Sequence, residues 1–201
     1  MKVGILSFQG SVKEHVNSIK RLGDVKPVEV RTVDELNSVD GLILPGGEST
    51  TLGNLLNVFN MTAPVREKIK SGMPVWGTCA GMILLAKEIL EEENTHLSVM
   101  DIKVRRNAYG SQLDSFLTKG HISKVSKNEL PLVFIRAPWI EEVLAGVDVL
   151  YQLDNKIVAA KQNNMLVTSF HPELTENLEF HRFFVDMIKE FREKKRLKTC
   201  V

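Results

Sequence analysis

The residues around Cys79 have the types and spacing of a nucleophile at a sharp turn between a strand and a helix. Residues 77–81 read Gly-Thr-Cys-Ala-Gly, so a glycine stands on each side of the cysteine, one residue removed. This is the G-x-nucleophile-x-G pattern, with cysteine where many hydrolases have serine, and its glycines allow a tight, strained turn. A helix that begins here favours the thiolate, and the N–H of Ala80 would point at an oxyanion. The cysteine alone favours a buried structural thiol, but with the glycines we predict a nucleophile.

A cysteine nucleophile needs a base and a group that orients the base, and residues 169–173 supply both. They read Ser-Phe-His-Pro-Glu near the end of a predicted strand. His171 would shuttle the proton, and Glu173 would accept a hydrogen bond from the other imidazole nitrogen and fix the tautomer. Alone this motif is weak, because a surface His-Pro turn with a solvated glutamate has the same pattern. Together with the cysteine turn it predicts a Cys79–His171–Glu173 triad.

A third motif, Pro-Gly-Gly-Glu-Ser-Thr-Thr at residues 45–51, follows another predicted strand. Glycines there let the backbone approach a ligand or adopt positive φ, and ligands of open α/β sheets bind at the carboxyl ends of strands. We therefore predict the N–H of Gly47 as a second oxyanion donor. A plain left-handed turn followed by a serine or threonine N-cap explains the same residues, and both interpretations can hold together. The motif is not a P-loop, because the Lys-Ser/Thr ending is absent.

Short apolar runs alternate with helical patterns in the first half of the chain, and these elements would position the motifs. Uniformly apolar strands of this kind indicate a parallel sheet covered by helices on both faces. The predicted strands are 3–8, 27–30, 41–44 and 75–77, and the predicted helices are 12–22, 50–59, 63–71 and 82–90.

After about residue 95 strand patterns follow one another with little helix between them, which predicts an antiparallel or mixed extension of the sheet. The last predicted helix covers 178–195. The predicted strands of this half are 99–104, 121–125, 132–135, 147–153, 157–161 and 166–170. We expect one domain over residues 1–201, a three-layer α/β sandwich with a mostly parallel central sheet.

Composition excludes several classes of protein. The 201 residues are 43% hydrophobic and 25% charged, and the net charge of +1 excludes a globally basic nucleic-acid binder. The longest apolar runs are too short for a membrane span, and residues 3–6 are too short for a signal peptide. Cys79 and Cys200 have neither disulfide-framework nor zinc-ligand spacing. We expect no metal site and a reducing, cytoplasmic setting.

These motifs, in this order, resemble the class I (triad) glutamine amidotransferases, which have a flavodoxin-like fold. Further stretches resemble the glutaminase subunits of pyridoxal 5′-phosphate synthase over essentially the whole chain. The most specific ones are Gly-Gly-Glu-Ser-Thr-Thr at 46–51 and Ile-Arg-Ala-Pro at 135–138. The others are Gln9-Gly10, Arg106-Asn107, Val158-Ala159-Ala160 and residues 169–175.

The resemblance implies hydrolysis of L-glutamine to glutamate and ammonia, which passes to a TIM-barrel synthase partner. Pyridoxal phosphate would then be the partner's product, and no cofactor is expected in this chain. The free glutaminase of such a pair is poorly active, and its partner switches it on. By motif matching, the residues that contact glutamine are Gly46, Gly47, Glu48, Arg106, Ile135 and Arg136, and Gln9 and Gly10 face the partner. Phe8, Ser11 and Trp139 depart from the family pattern near that face.

Two sets of polar residues remain to be interpreted. Arginine is the best bidentate partner for the α-carboxylate of glutamine, which suits Arg106 and Arg136. Without the resemblance, each of these two arginines would be interpreted as a surface or ion-pair residue. The remaining histidines have no partner motif, so we interpret them as surface or helix-face residues. They are His15, His96, His121 and His181.

Three alternatives stay open. A glutaminase of another synthase, such as imidazole glycerol phosphate synthase, shares the triad but not Ile-Arg-Ala-Pro. A stand-alone cysteine hydrolase on the same fold would be fully active alone. A non-catalytic α/β stress-type protein keeps the cysteine turn but does not hydrolyse amides, and the presence of His171 and Glu173 argues against this alternative.

Overall fold

The computed structural model describes residues 1–106 and 115–199. Helices and strands alternate at first: β1 (Lys2–Leu6), α1 (Val12–Arg21), β2 (Lys26–Val30), α2 (Val33–Asn37), β3 (Gly41–Leu44), α3 (Ser49–Val58), α4 (Thr62–Lys70), β4 (Val75–Thr78) and α5 (Ala80–Leu85). Strands then predominate: β5 (Ala86–Ile89), β6 (Met100–Arg105), β7 (Ser115–Gly120), β8 (Leu130–Ile135), β9 (Trp139–Val143), β10 (Asp148–Leu153), β11 (Lys156–Gln162), β12 (Met165–Thr168), followed by α6 (Glu179–Thr199).

Most of the described strands form one mixed sheet. Its order is β2-β1-β3-β4-β12-β11-β9-β6-β5, with β10 paired to β11. The strands from β2 to β12 are parallel. Antiparallel pairs extend the sheet through β11, β9 and β6, and β5 joins β6 in parallel. The predicted mostly parallel sheet with a mixed extension is therefore confirmed, while β7 and β8 pair separately.

The central strands send alternate side chains into two apolar layers on opposite faces. In β3, Leu42 and Leu44 join one cluster and Ile43 joins the other. The first cluster includes residues of α2, α3, α4 and α5, and the second includes residues of α1, α6 and the β7–β8 pair. Helices thus cover both faces, as the continuous apolar strands predicted. None of the described helices is long and apolar enough to cross a membrane.

The carboxyl ends of four neighbouring strands carry the predicted motifs. Strands β1, β3, β4 and β12 are adjacent and parallel, so their ends meet at one edge of the sheet. The segments that follow them are loop 9–11, turn 45–47, Cys79 and His171. The sheet topology therefore brings together residues that lie far apart in sequence.

Two predicted elements are wrong. The helix predicted over 82–90 ends at Leu85, and β5 follows it and pairs with β6. Ala86 and Ile89 are buried while the two residues between them are exposed. The periodicity of such a short apolar segment is ambiguous, and pairing with β6 determines that it forms a strand. The strand predicted over 121–125 is a turn, in which the N–H groups of Val125 and Ser126 both donate to the Ile122 carbonyl.

Helix α2 and strands β7 and β9 have no counterpart among the predicted elements. Helix α2 begins with a capping box between Thr32 and Glu35, and this Thr-x-x-Glu signal is readable from the sequence. Strands β7 and β9 each bury only one residue. Their apolar patterns are therefore weaker than those of the central strands.

Candidate functional site: a cysteine–histidine–glutamate cluster at the sheet edge

Cys79 lies in a strained turn between β4 and α5. Its φ is 49° and its ψ is −104°, a combination that non-glycine residues rarely adopt and that clusters at functional sites. Its N–H donates to the Thr168 carbonyl at 2.7 Å. The turn has the backbone geometry that the G-x-nucleophile-x-G pattern predicts.

The two glycines of this turn are required because the backbone packs closely. A Cβ on Gly77 would collide with the backbone of Gly81, and a Cβ on Gly81 would collide with the Leu44 carbonyl. The first turn of α5 therefore packs directly against β4 and β3. This packing holds Cys79 in its conformation.

His171 and Glu173 form a buried pair beside the cysteine. His171 Nδ1 lies 2.7 Å from Glu173 Oε1, and the Glu173 side chain has no solvent exposure. Burial by itself raises the pKa of Glu173, but the electrostatic interactions with His15 and His171 and the hydrogen bonds from His171 and Ser11 outweigh burial and lower the pKa to about 2. The carboxylate is thus ionised and accepts a hydrogen bond from Nδ1–H, as predicted for a group that fixes the tautomer.

The charge state of His171 follows from its two partners. Burial lowers the pKa of His171, but hydrogen bonds and charge interactions with Cys79 and Glu173 outweigh it and raise the pKa to about 10. An imidazolium at neutral pH is the natural partner of a thiolate, which is the nucleophilic form of cysteine.

Loop 9–11 contacts both the glycine turn and the triad, which the sequence did not reveal. Gln9 Oε1 accepts a hydrogen bond from the Glu48 N–H at 3.0 Å. Ser11 N–H donates to the Gly46 carbonyl at 3.0 Å, and its hydroxyl donates to Glu173 Oε1 at 2.6 Å. Ser11, noted only as a departure from the family pattern, is therefore a direct partner of the triad carboxylate.

Close approach and positive φ were the two roles expected for the glycines of turn 45–47, and positive φ is not found, since neither Gly46 nor Gly47 is among the residues with positive φ. The glycines are needed for close approach instead. A Cβ on Gly46 would overlap the His171 ring, and one on Gly47 would lie 2.5 Å from Gln9 Oε1. The alternative of a serine or threonine N-cap is also wrong, because Glu48 caps α3.

Glu48 and Arg106 form a charged cluster at the rim. Glu48 accepts hydrogen bonds from the N–H groups of Thr50 and Thr51. Burial raises the pKa of Glu48, but hydrogen bonds from Thr51 and Thr50 and the charge of Arg106 lower it to about 2. The Arg106 guanidinium bridges Glu48 at 3.1 Å and Glu92 at 2.6 Å. It is thus already paired with two carboxylates, as the ion-pair interpretation expected.

Ile135 and Arg136 complete the opposite rim. The Cys79 Sγ lies 4.0 Å from the Ile135 carbonyl oxygen. Arg136 is exposed and has a φ of 42°. No ion pair of Arg136 occurs within residues 1–106 and 115–199, so its guanidinium is the more available of the two for an incoming carboxylate.

These residues surround a pocket of about 400 Å³. It is lined by Gln9, Gly10, Ser11, Gly46, Gly47, Glu48, Ser49, Cys79, Ala80, Ile83, Arg106, Ile135, Arg136, Pro138, His171 and Leu174. Of the predicted site residues only Glu173 is not in the lining, because it lies behind His171. Ser11, Ser49, Ile83, Pro138 and Leu174 were missed, since their types carry no distinctive chemical signal.

Residues 107–114 and 200–201 lie outside the described part, so Asn107 and Cys200 are not placed. Trp139 lies on β9, where its indole N–H donates to Glu141 at 2.8 Å. Phe8 stacks on Phe59 at a ring distance of 4.9 Å. Among the described residues no group of three or more His, Cys, Asp and Glu side chains could hold a metal ion.

The interpretation of the other histidines as surface or helix-face residues is wrong for His15 and His181. Both are fully buried, and they lie behind Glu173. Each lies four residues before an apolar residue of its own helix, Ile19 for His15 and Val185 for His181. This spacing places them on the buried face and is the signal that could have found them. His121 is exposed, as expected.

Comparison with known proteins identifies the family. The model of the SNO glutamine amidotransferase family matches residues 5–190. The pyridoxal 5′-phosphate synthase subunit PdxT of Clostridium acetobutylicum is 58% identical over 187 residues, which cover 93% of this chain and 100% of that protein. PdxT of Ruminiclostridium cellulolyticum is 53% identical over 187 residues, covering 93% of this chain and 99% of that protein.

Solved structures agree with these relatives. A crystal structure of a glutamine amidotransferase has a TM-score of 0.88 at 40% identity and covers 93% of this chain and 98% of that chain. The glutaminase domain of Trypanosoma brucei CTPS, at 15% identity and a TM-score of 0.63 over 94% of each chain, shares the fold alone. From the family match over most of its length and from these relatives, the chain belongs to the SNO glutamine amidotransferase family.

Proposed function

We propose that this chain is the glutaminase subunit of a pyridoxal 5′-phosphate synthase and that it releases ammonia from L-glutamine. The observation that supports this most strongly is the juxtaposition of a strained cysteine with a buried His171–Glu173 pair at one pocket. The similarity to PdxT proteins over nearly the whole chain indicates which synthase receives the ammonia, namely pyridoxal 5′-phosphate synthase. The family match favours this over the glutaminase of another synthase.

The residues have distinct roles in the reaction. The Cys79 thiolate attacks the side-chain amide carbon of glutamine, and His171 donates its proton to the leaving nitrogen, so that ammonia departs and a γ-glutamyl thioester remains. A water molecule then gives a proton to His171 and its hydroxide attacks the thioester, which releases the γ-carboxyl group of glutamate and restores the Cys79 thiolate beside the His171 imidazolium. Glu173 stays ionised throughout and holds the imidazole in the required tautomer.

The oxyanion of each tetrahedral intermediate needs two donors. We assign these to the N–H groups of Ala80, at the start of α5, and Gly47, in the turn after β3. The rim then binds the amino-acid end of the substrate through Gly46, Glu48, Ile135 and the two arginines. Because Arg106 is already paired with Glu48 and Glu92, we give Arg136 the main role in holding the α-carboxylate.

The partner in this proposal is the TIM-barrel synthase subunit, which receives the ammonia. We place the docking surface at Gln9 and Gly10. Loop 9–11 contacts the turn that holds Gly47 and the Glu173 carboxylate, so a partner that presses on this loop acts on both. We expect the complex in the cytoplasm, where a reducing environment keeps the nucleophile free.

The test is a Cys79→Ala variant assayed with the synthase subunit. Glutamine-dependent formation of pyridoxal phosphate should disappear, while synthesis supplied with ammonium salt should remain near the wild-type rate. Glutamine hydrolysis retained by this variant would remove Cys79 from the mechanism. Loss of the ammonia-supported reaction as well would mean that the substitution disrupts the complex.

A further inference from the structure

The Glu173 carboxylate has one oxygen whose partner the proposed mechanism does not supply. Its Oε1 accepts from Ser11 and from His171. Its Oε2 is buried and makes no hydrogen bond within the described residues, and it lies 3.6 Å from His15 Nε2. An ionised oxygen in a dry interior is costly unless a donor faces it.

His15 belongs to a buried polar chain that joins α1, β4 and α6. Its Nε2 lies 3.2 Å from Thr78 Oγ1, and its Nδ1 lies 3.1 Å from His181 Nε2. The Trp76 ring packs edge-on against both imidazoles at centroid distances of 5.5 and 5.0 Å. Both histidines have no solvent exposure, so the arrangement is fixed by packing.

One pair of tautomers satisfies these contacts best. If His181 Nε2–H donates to His15 Nδ1, then His15 carries its proton on Nε2 and presents a donor to Thr78 and to Glu173 Oε2. Only a lone pair on His181 Nδ1 is then left without a partner. The opposite choice leaves a buried N–H without an acceptor and turns a lone pair toward the carboxylate, which costs more free energy.

We propose that His15 and His181 are a positioning pair for the triad: both are neutral and protonated on Nε2, and His15 holds the Glu173 carboxylate in its charged state facing His171. This inference rests on the proposed function of the site. It assigns a role to two residues outside the Cys79–His171–Glu173 triad.

The surrounding charges support neutral imidazoles. Burial lowers the pKa of His15, and nearby His171 lowers it further, against the opposing effect of Glu173 and Glu14. Burial together with His15 and Arg21 lowers the pKa of His181 to about 3, against the effect of Glu173. A neutral donor stabilises the carboxylate without adding a cation that would compete with the His171 imidazolium.

The experiment compares His15→Leu, which removes the donor, with His15→Gln, whose amide nitrogen stands where Nε2 was. Glutamine hydrolysis is measured against pH in the complex with the synthase subunit. Without the donor the Glu173 carboxylate can turn away from His171, whose pKa of about 10 depends partly on Glu173. The basic limb of kcat/KM should therefore move to lower pH in the Leu variant. Its kcat should fall about tenfold at pH 7 with KM unchanged, because the imidazole is less well oriented, and the Gln variant should recover most of both.

Phe184→Leu is the matched control, because Phe184 packs on Trp76 in the same buried layer at a ring distance of 5.8 Å and is not part of the histidine chain. It should lower the melting temperature but leave the basic limb in place. A His15→Leu basic limb that coincides with wild type would overturn the proposal, and so would a Gln variant shifted as far as Leu. Inactivity of the wild-type complex toward glutamine would instead count against the proposed function.

A second measurement does not depend on the variants' folding. Nitrogen-15 NMR of the wild-type chain reports histidine tautomers directly. We expect His15 and His181 in the neutral Nε2–H form at pH 7. Assignment of His15 as an Nδ1–H tautomer or as an imidazolium at pH 7 would contradict the inference.

Discussion

Two residues of the pocket, Cys79 and Arg136, hold a positive φ without being glycine. Such a backbone costs on the order of 1–3 kcal/mol for each residue and persists only where the surrounding structure enforces it. For Cys79 the enforcement comes from close packing at Gly77 and Gly81. This conformation places the thiol at the sheet edge beside His171, which is the arrangement that the proposed mechanism requires.

The proposed role of Cys79 predicts selective labelling. A glutamine-like electrophile should alkylate Cys79, because this thiol lies beside His171 in the proposed glutamine pocket, and should leave Cys200 unmodified. Peptide mass spectrometry identifies the site. His171→Asn should slow the labelling strongly, and equal modification of both cysteines would argue against an activated thiol.

Glu173 is assigned to orient His171 and not to take the proton itself. Glu173→Gln should therefore lower turnover without weakening glutamine binding, and the loss should be smaller than for His171→Asn or Cys79→Ala. Steady-state kinetics and a glutamine-binding titration separate the two effects. Wild-type turnover in Glu173→Gln would leave a Cys–His dyad.

The same carboxylate predicts a pH dependence of stability. The folded pKa of Glu173 lies near 2, below the ordinary value of 4.5, so its contribution is present above pH 4.5 and is lost as the pH falls toward 2. That contribution is on the order of 3 kcal/mol. Urea midpoints between pH 6 and 3 should fall more steeply for wild type than for Glu173→Gln. Parallel curves would contradict the depressed pKa.

At the scale of elements, loop 9–11 and the turn 45–47 behave as one unit. Gly10 has a φ of 100° and its Cα packs against the Gly46 carbonyl, while Gln9 accepts from the Glu48 N–H. A movement of the loop therefore displaces the turn. We propose that the Gly47 N–H points away from Cys79 in the free chain and that docking turns it toward the oxyanion.

Gly47→Val tests this coupling. The added side chain meets Gln9 Oε1, so the turn cannot rearrange, and activation by the synthase subunit should be lost while Cys79 remains alkylatable. Ammonia release with and without the partner is the measurement. Gly23→Asn is the matched control and should be activated normally, because no atom lies within 4 Å of a Cβ added at Gly23.

Buried strands were easier to predict from the sequence than partly exposed ones. The central strands were predicted because both faces are covered and their sequences are continuously apolar. Residues 82–90 were predicted as one helix because their local pattern does not distinguish a helix from a strand. Pairing with β6 determines the strand, and β6 lies too far along the chain for a local pattern to include it. The proximity of Cys79, His171 and Glu173 could be predicted from motifs. His15 and His181 could not be connected to Glu173 in this way, because only the packing of α1 and α6 brings them there.

For the whole molecule, the pocket lies where the carboxyl ends of the parallel strands meet, and loop 9–11 forms part of its wall. A glutaminase that runs without an acceptor wastes glutamine, so coupling its turnover to a docked synthase is advantageous. The contacts of loop 9–11 connect the molecular surface with the turn 45–47, which holds the proposed oxyanion donor Gly47. One domain over residues 1–201 remains a prediction.

The most direct test of the central claim is the rate of ammonia release from glutamine by one preparation, measured alone and then with the synthase subunit. A missing oxyanion donor typically lowers turnover by about 10²–10³. We therefore predict a nearly silent free chain and a rise of about that size when the synthase subunit is added. Equal rates with and without the subunit would contradict a partner-controlled glutaminase, and no release in either state would contradict the glutaminase assignment itself.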